Sequence, residues 1–266
     1  LIFLNQDLNL QTRINVTFLK SSTLKNYISS TIIAIAAIIC FFIIGKSYKY
    51  KFTSTETISV TGLAEKNFTS DQIVWTGNYS RKMMDLKSAY TLLKEDESKI
   101  RAYLTGHGIA EKEMVFSAVN IEKEFSTKFD SEGKQAGTEF TGYNLRQSVT
   151  VDSRDIDKIE KLSRQATELI ENGIEFNSTP PSYYYTKLSE LKIDLLAKAS
   201  ADAKQRAETI AKNSGSSLGK TRKATMGVFQ ITGQNSNEDY SYGGAFNTSS
   251  RNKTASITVK TDYAVD

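Results

Sequence analysis

Residues 213 to 221 read NSGSSLGKT, close to the G-x-x-x-x-G-K-[ST] loop whose backbone N–H groups wrap a nucleotide's phosphates. Gly219, Lys220 and Thr221 fit the end of that pattern. The first glycine should stand at 214, which is Ser214, and Gly215 comes one residue late. A phosphate loop also joins a strand to a following helix, so that the helix N-terminus faces the anion. This stretch does the reverse: it leaves a long helical pattern and enters a strand pattern. The nearby helix end is therefore negative and disfavours phosphate. The reading is a helix cap and a turn, with no nucleotide.

The other chemical residues are few. Cys40 is the single cysteine and His107 the single histidine. That excludes an internal disulfide, a Cys/His zinc site and any catalytic set needing two imidazoles. No metal or cofactor is expected. Serines and lysines are plentiful, so a Ser-Lys nucleophile pair stays open; Gly215-Ser216-Ser217-Leu218-Gly219 spells G-x-S-x-G, but it leads from a helical pattern into a strand pattern, the reverse of a nucleophile elbow, and no particular pair stands out. A hydrolase using Ser, Lys or carboxylates is accordingly the alternative to a non-enzymatic reading. His107, between two glycines at a helix end, suits the helix dipole. The acidic runs Glu95–Glu97 and Arg154–Asp157 read as charge on helix surfaces. Tyr183, Tyr184 and Tyr185 are consecutive on a strand-like stretch, so their rings alternate between faces. At least one face must be covered, by the neighbouring helix or by a partner.

These residues must be positioned by a chain of 266 residues, with a net charge of +4, 39% hydrophobic and 24% charged. That composition suits a folded body, and the interleaved charges give no footprint for nucleic acid. Residues 26 to 45, NYISSTIIAIAAIICFFIIG, are uncharged and lie between Lys25 and Lys46. Twenty helical residues span about 30 Å, the thickness of a hydrocarbon core. No small-residue cleavage site follows, so the segment reads as an uncleaved transmembrane signal-anchor in contact with the bilayer. Lysines flank it on both sides and leave its orientation undecided by charge. Residues 1–25 form a short N-terminal segment, 46–55 a polar linker, and 56–266 the body.

Within the body, 56–62, 71–80, 113–125, 138–153, 220–232 and 254–265 carry strand patterns, and 113–125 with 138–153 reads as a hairpin. The stretch around Glu175 and Tyr184 is strand-like, with Pro180 and Pro181 demoting its middle. Helical spacing covers Asp85–Gly106, a segment from Ile156 to Ile170 capped by Asp152 or Ser153, and Lys187–Asn213. In the last, the stripe narrows from leucine to Ala199, Ala203, Ala207 and Ala211, which lets something pack closely. Residues 233–250 read as a flexible loop. The expected order is β-β-α-β-β-α-β-α-β-β: an α+β fold of antiparallel strands packed with about three helices, preceded by one transmembrane helix.

Three stretches in this order, ISVTGLAEKNFTSDQIVWTGNYS, GYNLRQSVTVDSRDIDKIEKL and LAKASADAKQRAETIAKNSGSSLGKTRKATMGVFQI, resemble the SIMPL-domain family of bacterial envelope proteins. The most specific pieces are Val60-Thr61-Gly62, Gly142-Tyr143, and the alanine-rich helix with Arg206-Ala207 leading to Gly215 and Leu218-Gly219. The resemblance covers roughly residues 56 to 265. It implies an envelope location, an α+β body that assembles into rings, and links to envelope or oxidative stress. It offers no catalytic residues to carry over. The expectation is thus a non-enzymatic, single-pass protein of the bacterial inner membrane, its C-terminal domain on the periplasmic side. It is expected to form a homo-oligomer, with Tyr183, Tyr184 or Tyr185 contributing.

Overall fold

The computed structural model describes residues 29–50 and 56–265. Helix α1, Ser29–Tyr50, has 22 residues and is long and apolar enough to cross a membrane. It runs on through Tyr50, past the expected end of the apolar segment, so the linker reading keeps only 51–55. Those residues, and the segment 1–28, lie outside the described residues. The chain divides into two compact units. The larger comprises Val60–Arg206 and Ala224–Thr261. The smaller holds the described parts of the chain up to Ser59, with Ala207–Lys223 and residues 262–265.

The body is α+β. Its strands are β1 (Thr57–Thr69), β2 (Gln72–Met83), β3 (Met114–Phe116), β4 (Asn120–Phe129), β5 (Gln135–Ser153), β6 (Glu175–Ser178), β7 (Ser182–Tyr184), β8 (Leu218–Met226), β9 (Gln230–Gly233) and β10 (Asn252–Val265). Its helices are α2 (Leu86–Gly106), α3 (Ile156–Gln165) and α4 (Leu188–Asn213). One sheet runs β1-β10-β8, with β9 on β10. The other runs β3-β5-β2-β6, with β4 on β5 and β7 on β2.

Several boundaries differ from the sequence reading for physical reasons. Gly62 does not end β1. A Cβ there would overlap the Ala199 carbonyl oxygen and the Ala203 backbone, so the glycine marks a close approach of strand to helix. The expected strand 113–125 is two strands, broken at Ser117–Val119 but both paired with β5. The strand around Glu175 to Tyr184 also splits, into β6 and β7, where Pro180 and Pro181 cannot donate to the ladder. Helix α3 is shorter than expected and tightens into a 3-10 segment, Ala166–Asn172, ended by left-handed Gly173. Its cap is neither Asp152 nor Ser153 but Asp155, which accepts from the Lys158 N–H. The expected strand 220–232 breaks at Gly227 into β8 and β9.

In the smaller unit, Gly215 takes a left-handed φ of 74° just beyond α4, and the Ser216 N–H returns to the Ala211 carbonyl. That is a helix cap, as the opening motif required.

The larger unit has two apolar clusters. In one, the β2 and β5 residues Ile73, Trp75, Leu145, Val149 and Val151 meet Leu93, Ile100 and Leu104 of α2 and Ile156, Ile159 and Leu162 of α3. In the other, Ala64, Ile231, Ala255, Ile257 and Val259 meet Leu191, Leu195 and Ala199 of α4.

Candidate functional site

Among the described residues, helices of the larger unit pack on one face of the six-stranded sheet. Alternation along β2 and β5 sends Ile73, Trp75, Tyr79, Leu145 and Val149 to the helices, and Asn78, Ser80, Asn144, Arg146 and Ser148 the other way. That open face forms a cleft of about 570 Å³. Register assembles its side chains. Asn78 pairs with Asn177 of β6 and Ser148 of β5; Ser80 pairs with Glu175 and Arg146; Asn120 of β4 pairs with Arg146. The break between β3 and β4 supplies the rim. There the Ser117 N–H donates to the Ser148 carbonyl (2.9 Å), and the Ser148 N–H donates to Ser117 Oγ (3.0 Å).

Behind this floor lies a buried polar chain. Tyr79 Oη donates to Gln147 Oε1 (2.8 Å), and Gln147 Nε2 donates to the Ser117 carbonyl (2.9 Å) and Glu97 Oε2 (3.2 Å). Burial, with Glu97 nearby, pushes the Tyr79 phenol well above its ordinary range. Of the cleft's lining residues, Asn144 donates from Nδ2 to Glu124 Oε1 (2.6 Å), and Lys82 Nζ lies 2.6 Å from Glu124 Oε2. Those two donors, Lys82 foremost, hold the Glu124 carboxyl below its usual range. The side-chain oxygen of Asn144, Oδ1, is buried without a hydrogen-bond partner among the described residues.

The residues singled out from the sequence fall elsewhere. Cys40 is exposed on α1. His107 ends α2, with Nδ1 2.8 Å from the Tyr103 carbonyl and its ring 4.2 Å from the Tyr103 ring. Glu95–Glu97 is not simply surface charge. Asp96 is 1% exposed and takes a bidentate grip from Arg81, at 2.5 and 2.8 Å. Asp155 caps α3 and Asp157 pairs with Arg251 at 2.6 Å. The three tyrosines separate. Tyr183 packs on the cluster of α2 and α3, and its hydroxyl donates to Glu160 (2.9 Å). Burial first, then Glu160, pushes that phenol up to about 12. Tyr185 packs on the α4 cluster, 4.8 Å from the Phe68 ring. Only Tyr184 is exposed, at 36%.

Lys253 is a group that sequence reading missed. It is 2% exposed, and its ammonium donates to the carbonyls of Tyr183 (2.7 Å) and Asn247. Burial pushes it down to about 8. Together with Gln230, whose amide meets Ser241 and Ala245, it ties down the segment 233–250 that the sequence suggests is flexible. The space beside Lys253, about 10 Å³, admits no ligand. The cleft on the open sheet is the larger opportunity.

A family described as SIMPL, protein of unknown function (DUF541), matches residues 58–263. The chain belongs to the SIMPL family. Comparison with curated proteins gives no significant match. The geometry explains two motif pieces that carried the resemblance. In this SIMPL domain Gly62 permits β1 to touch α4. Gly142, at φ 130°, sits where a Cβ would press on the Met83 carbonyl, beside the irregularity in β4–β5 pairing at Glu124/Phe125. Both are architectural, and the cleft residues Asn78, Asn120 and Asn177 belong to neither.

Proposed function

We propose that the protein is a non-enzymatic SIMPL-domain protein of the bacterial cytoplasmic membrane. Helix α1, within the segment 26–45 and beyond, contacts the bilayer; the body lies on the periplasmic side and assembles with copies of itself. The observation that carries this reading is the order of parts: a helix able to cross a membrane directly precedes a SIMPL domain. A single apolar span ahead of a large domain commonly places that domain outside. Family resemblance adds the expected link to envelope or oxidative stress.

The non-enzymatic part is supported by the perturbed groups. Each has a structural partner: Arg81 with Asp96, Tyr79 with Gln147, Tyr183 with Glu160, and Lys253 with two carbonyls. Perturbed groups at active sites are instead poised in open clefts. Assembly is supported by the β4–β5 hairpin, which exposes Ile121 (51%), Phe125 (59%) and Phe129 (65%). Apolar side chains displayed along one arm mark a surface that gains by being covered. Exposed Tyr184 is the one ring of its trio free to add to an interface.

Protease added to spheroplasts should remove the body while α1 stays with the membrane; a protected body would reverse the topology. Light scattering on the full chain in detergent should give a multiple of the chain mass, reduced by joint Phe125→Ser and Phe129→Ser substitution. A monomer at high concentration would remove the assembly. Turnover in a broad hydrolase screen, abolished by one Ser or Asp substitution, would overturn the non-enzymatic reading.

A further inference from the structure

The two edges of the six-stranded sheet are not alike. One edge is formed by β6 and β7, of four and three residues, parted by Pro180 and Pro181; short strands and prolines blunt an edge. At the other edge β4 runs from Asn120 to Phe129, holds no proline, and among the described residues pairs with β5 alone. The irregularities in that pairing, at Glu124/Phe125 and Lys128/Phe129, insert the extra residue into β5, at Thr141 and Ala136. Along β4 itself the alternation is unbroken, so its odd-numbered residues share a face. Ile121 stands opposite Leu145, which is in the core. The exposed row Ile121, Phe125 and Phe129 thus carries the helix-packed face of the sheet outward, beyond what the helices cover. Rings of β5 support it: Phe140 lies 5.6 Å from Phe125 and 5.1 Å from Tyr143.

Resting on the assembly proposed above, we infer that this edge receives the β4 strand of a second copy, antiparallel about a two-fold axis that sets Phe125 opposite Phe125. The sequence of β4 selects both the occupant and the register. With Phe125 opposite itself, Ile121 faces Phe129, Glu122 faces Lys128, Lys123 faces Thr127 and Glu124 faces Ser126, each pair occurring twice. Apolar side chains meet on one face and opposite charges on the other. The charges also continue a series of alternating sign: Arg146 of β5 lies 3.7 Å from Glu122, and Lys128 lies 3.2 Å from Glu139 of β5. Joined edges therefore run Arg146, Glu122, then Lys128 and Glu139 of the second copy. Neighbouring registers lose this match. Centring on Glu124 sets that carboxylate against itself and Lys123 against Phe125. Centring on Lys123 sets Lys123 against itself and Glu122 against Glu124, and like charges directly opposite are destabilising. Centring on Ser126 leaves Phe129 facing Lys123 and Phe125 facing Thr127. A strand of unrelated sequence could satisfy the same backbone groups, but the match of β4 to its own reverse is what a second copy supplies. The contact is isologous and closes on itself, so no β4 edge remains to extend into a fibre.

The test is oxidative cross-linking of the full chain in detergent, on a Cys40→Ser background because that thiol is exposed. Phe125→Cys should give a disulfide-linked dimer, since paired Cα atoms lie about 4.5–5.5 Å apart, within disulfide reach. Ile121→Cys and Phe129→Cys, at sites of comparable exposure, should stay unlinked when each is alone. Each would be offset from its own copy by twice its distance from Phe125, about 27 Å at roughly 3.4 Å per residue. Mixing those two chains should link one to the other. By light scattering, Phe125→Lys should dissociate at least ~tenfold more readily, because it sets lysine against lysine. Self-linking of Ile121→Cys or Phe129→Cys as efficient as that of Phe125→Cys would overturn this contact. So would an assembly of full mass in which Phe125→Cys chains do not link, the result expected if β4 takes a strand of another protein or the copies meet elsewhere; the proposed assembly would then stand without it. A chain that is monomeric at high concentration would overturn both.

Discussion

The two sheet–helix layers of the larger unit are built by opposite means. Where β1, β9 and β10 meet α4, small residues set the closest approach among Leu191, Leu195, Ile231 and Ile257: Ala64, Ala199 and Ala255 are buried, and Gly62 lies against the helix backbone itself. Where β2 and β5 meet α2 and α3, large side chains interlock, among them Trp75, Tyr79, Leu93, Ile100 and Leu104. Polar anchors run through this second layer: the Trp75 indole donates to Ser178 (2.9 Å) and Arg81 grips Asp96. The first layer has no room for an added atom. The second depends on atoms that are present. Insertion should therefore damage one and truncation the other.

The largest effect is expected from Trp75→Ala. It empties a fully buried site and orphans Ser178 Oγ as an acceptor, at a cost of about 3–5 kcal/mol by denaturant titration. A loss under ~1 kcal/mol would mean the layer collapses freely. Next comes Gly62→Ala, a single added carbon. Because the obstacle is backbone at Ala199 and Ala203, no side chain can swing aside, and about 3 kcal/mol is expected. The comparison is sharpened by Ala64→Gly in the same layer, which removes a carbon and should cost only about 1 kcal/mol. If Gly62→Ala proves harmless, the two layers do not differ in the way described.

Smaller again is Asp96→Asn, which keeps the shape of the buried side chain but not its charge. Arg81 retains its bond to the Gly173 carbonyl (2.7 Å) and is partly exposed, so about 1–3 kcal/mol is expected. A loss under ~0.5 kcal/mol by denaturant titration would show that the charge contributes nothing.

What was legible in the sequence follows the same division. The α4 stripe of leucines narrowing to alanines announced a close approach, and Gly62 is the residue that completes it. Yet Gly62 read as a strand end, because period-2 patterning cannot tell a glycine that turns from one that touches. In the second layer, Leu93, Ile100 and Leu104 of α2 followed helical spacing, whereas Leu86 and Tyr90, also on that stripe, are exposed. Asp96 takes their place on the buried face. Its partner Arg81 is on another element, and no local signal joins them. The cleft was illegible for a related reason. Asn78, Asn144 and Asn177 lie far apart in sequence, and only strand register brings them to one face. Asparagines within strands read locally as solvent-facing, and the cleft that collects them is a product of strand register and of the break at Ser117–Val119.

The last prediction concerns the place where both layers are tied, at Lys253. Its ammonium holds the carbonyls of Tyr183 and Asn247, and no carboxylate among the described residues pairs with it, though Glu238 pulls its proton affinity up weakly against burial. The ordinary lysine value is 10.5 and the folded value about 8. Between them the unfolded chain holds the proton more tightly, so stability rises with pH across that window, by at most about 1.4 kcal/mol per pH unit. Tyr79 and Tyr183 act in the opposite sense. Their folded values lie above the ordinary 10.0, so their contribution is complete below pH 10 and is lost as pH climbs beyond it. Denaturant midpoints should consequently increase from pH 7.5 to 9.5 and decline above 10. Lys253→Met keeps an apolar stem in the same space and removes the proton, so its midpoint should be level over the lower window and still decline above 10. Equal slopes for both proteins from pH 7.5 to 9.5 would show that Lys253 does not titrate there.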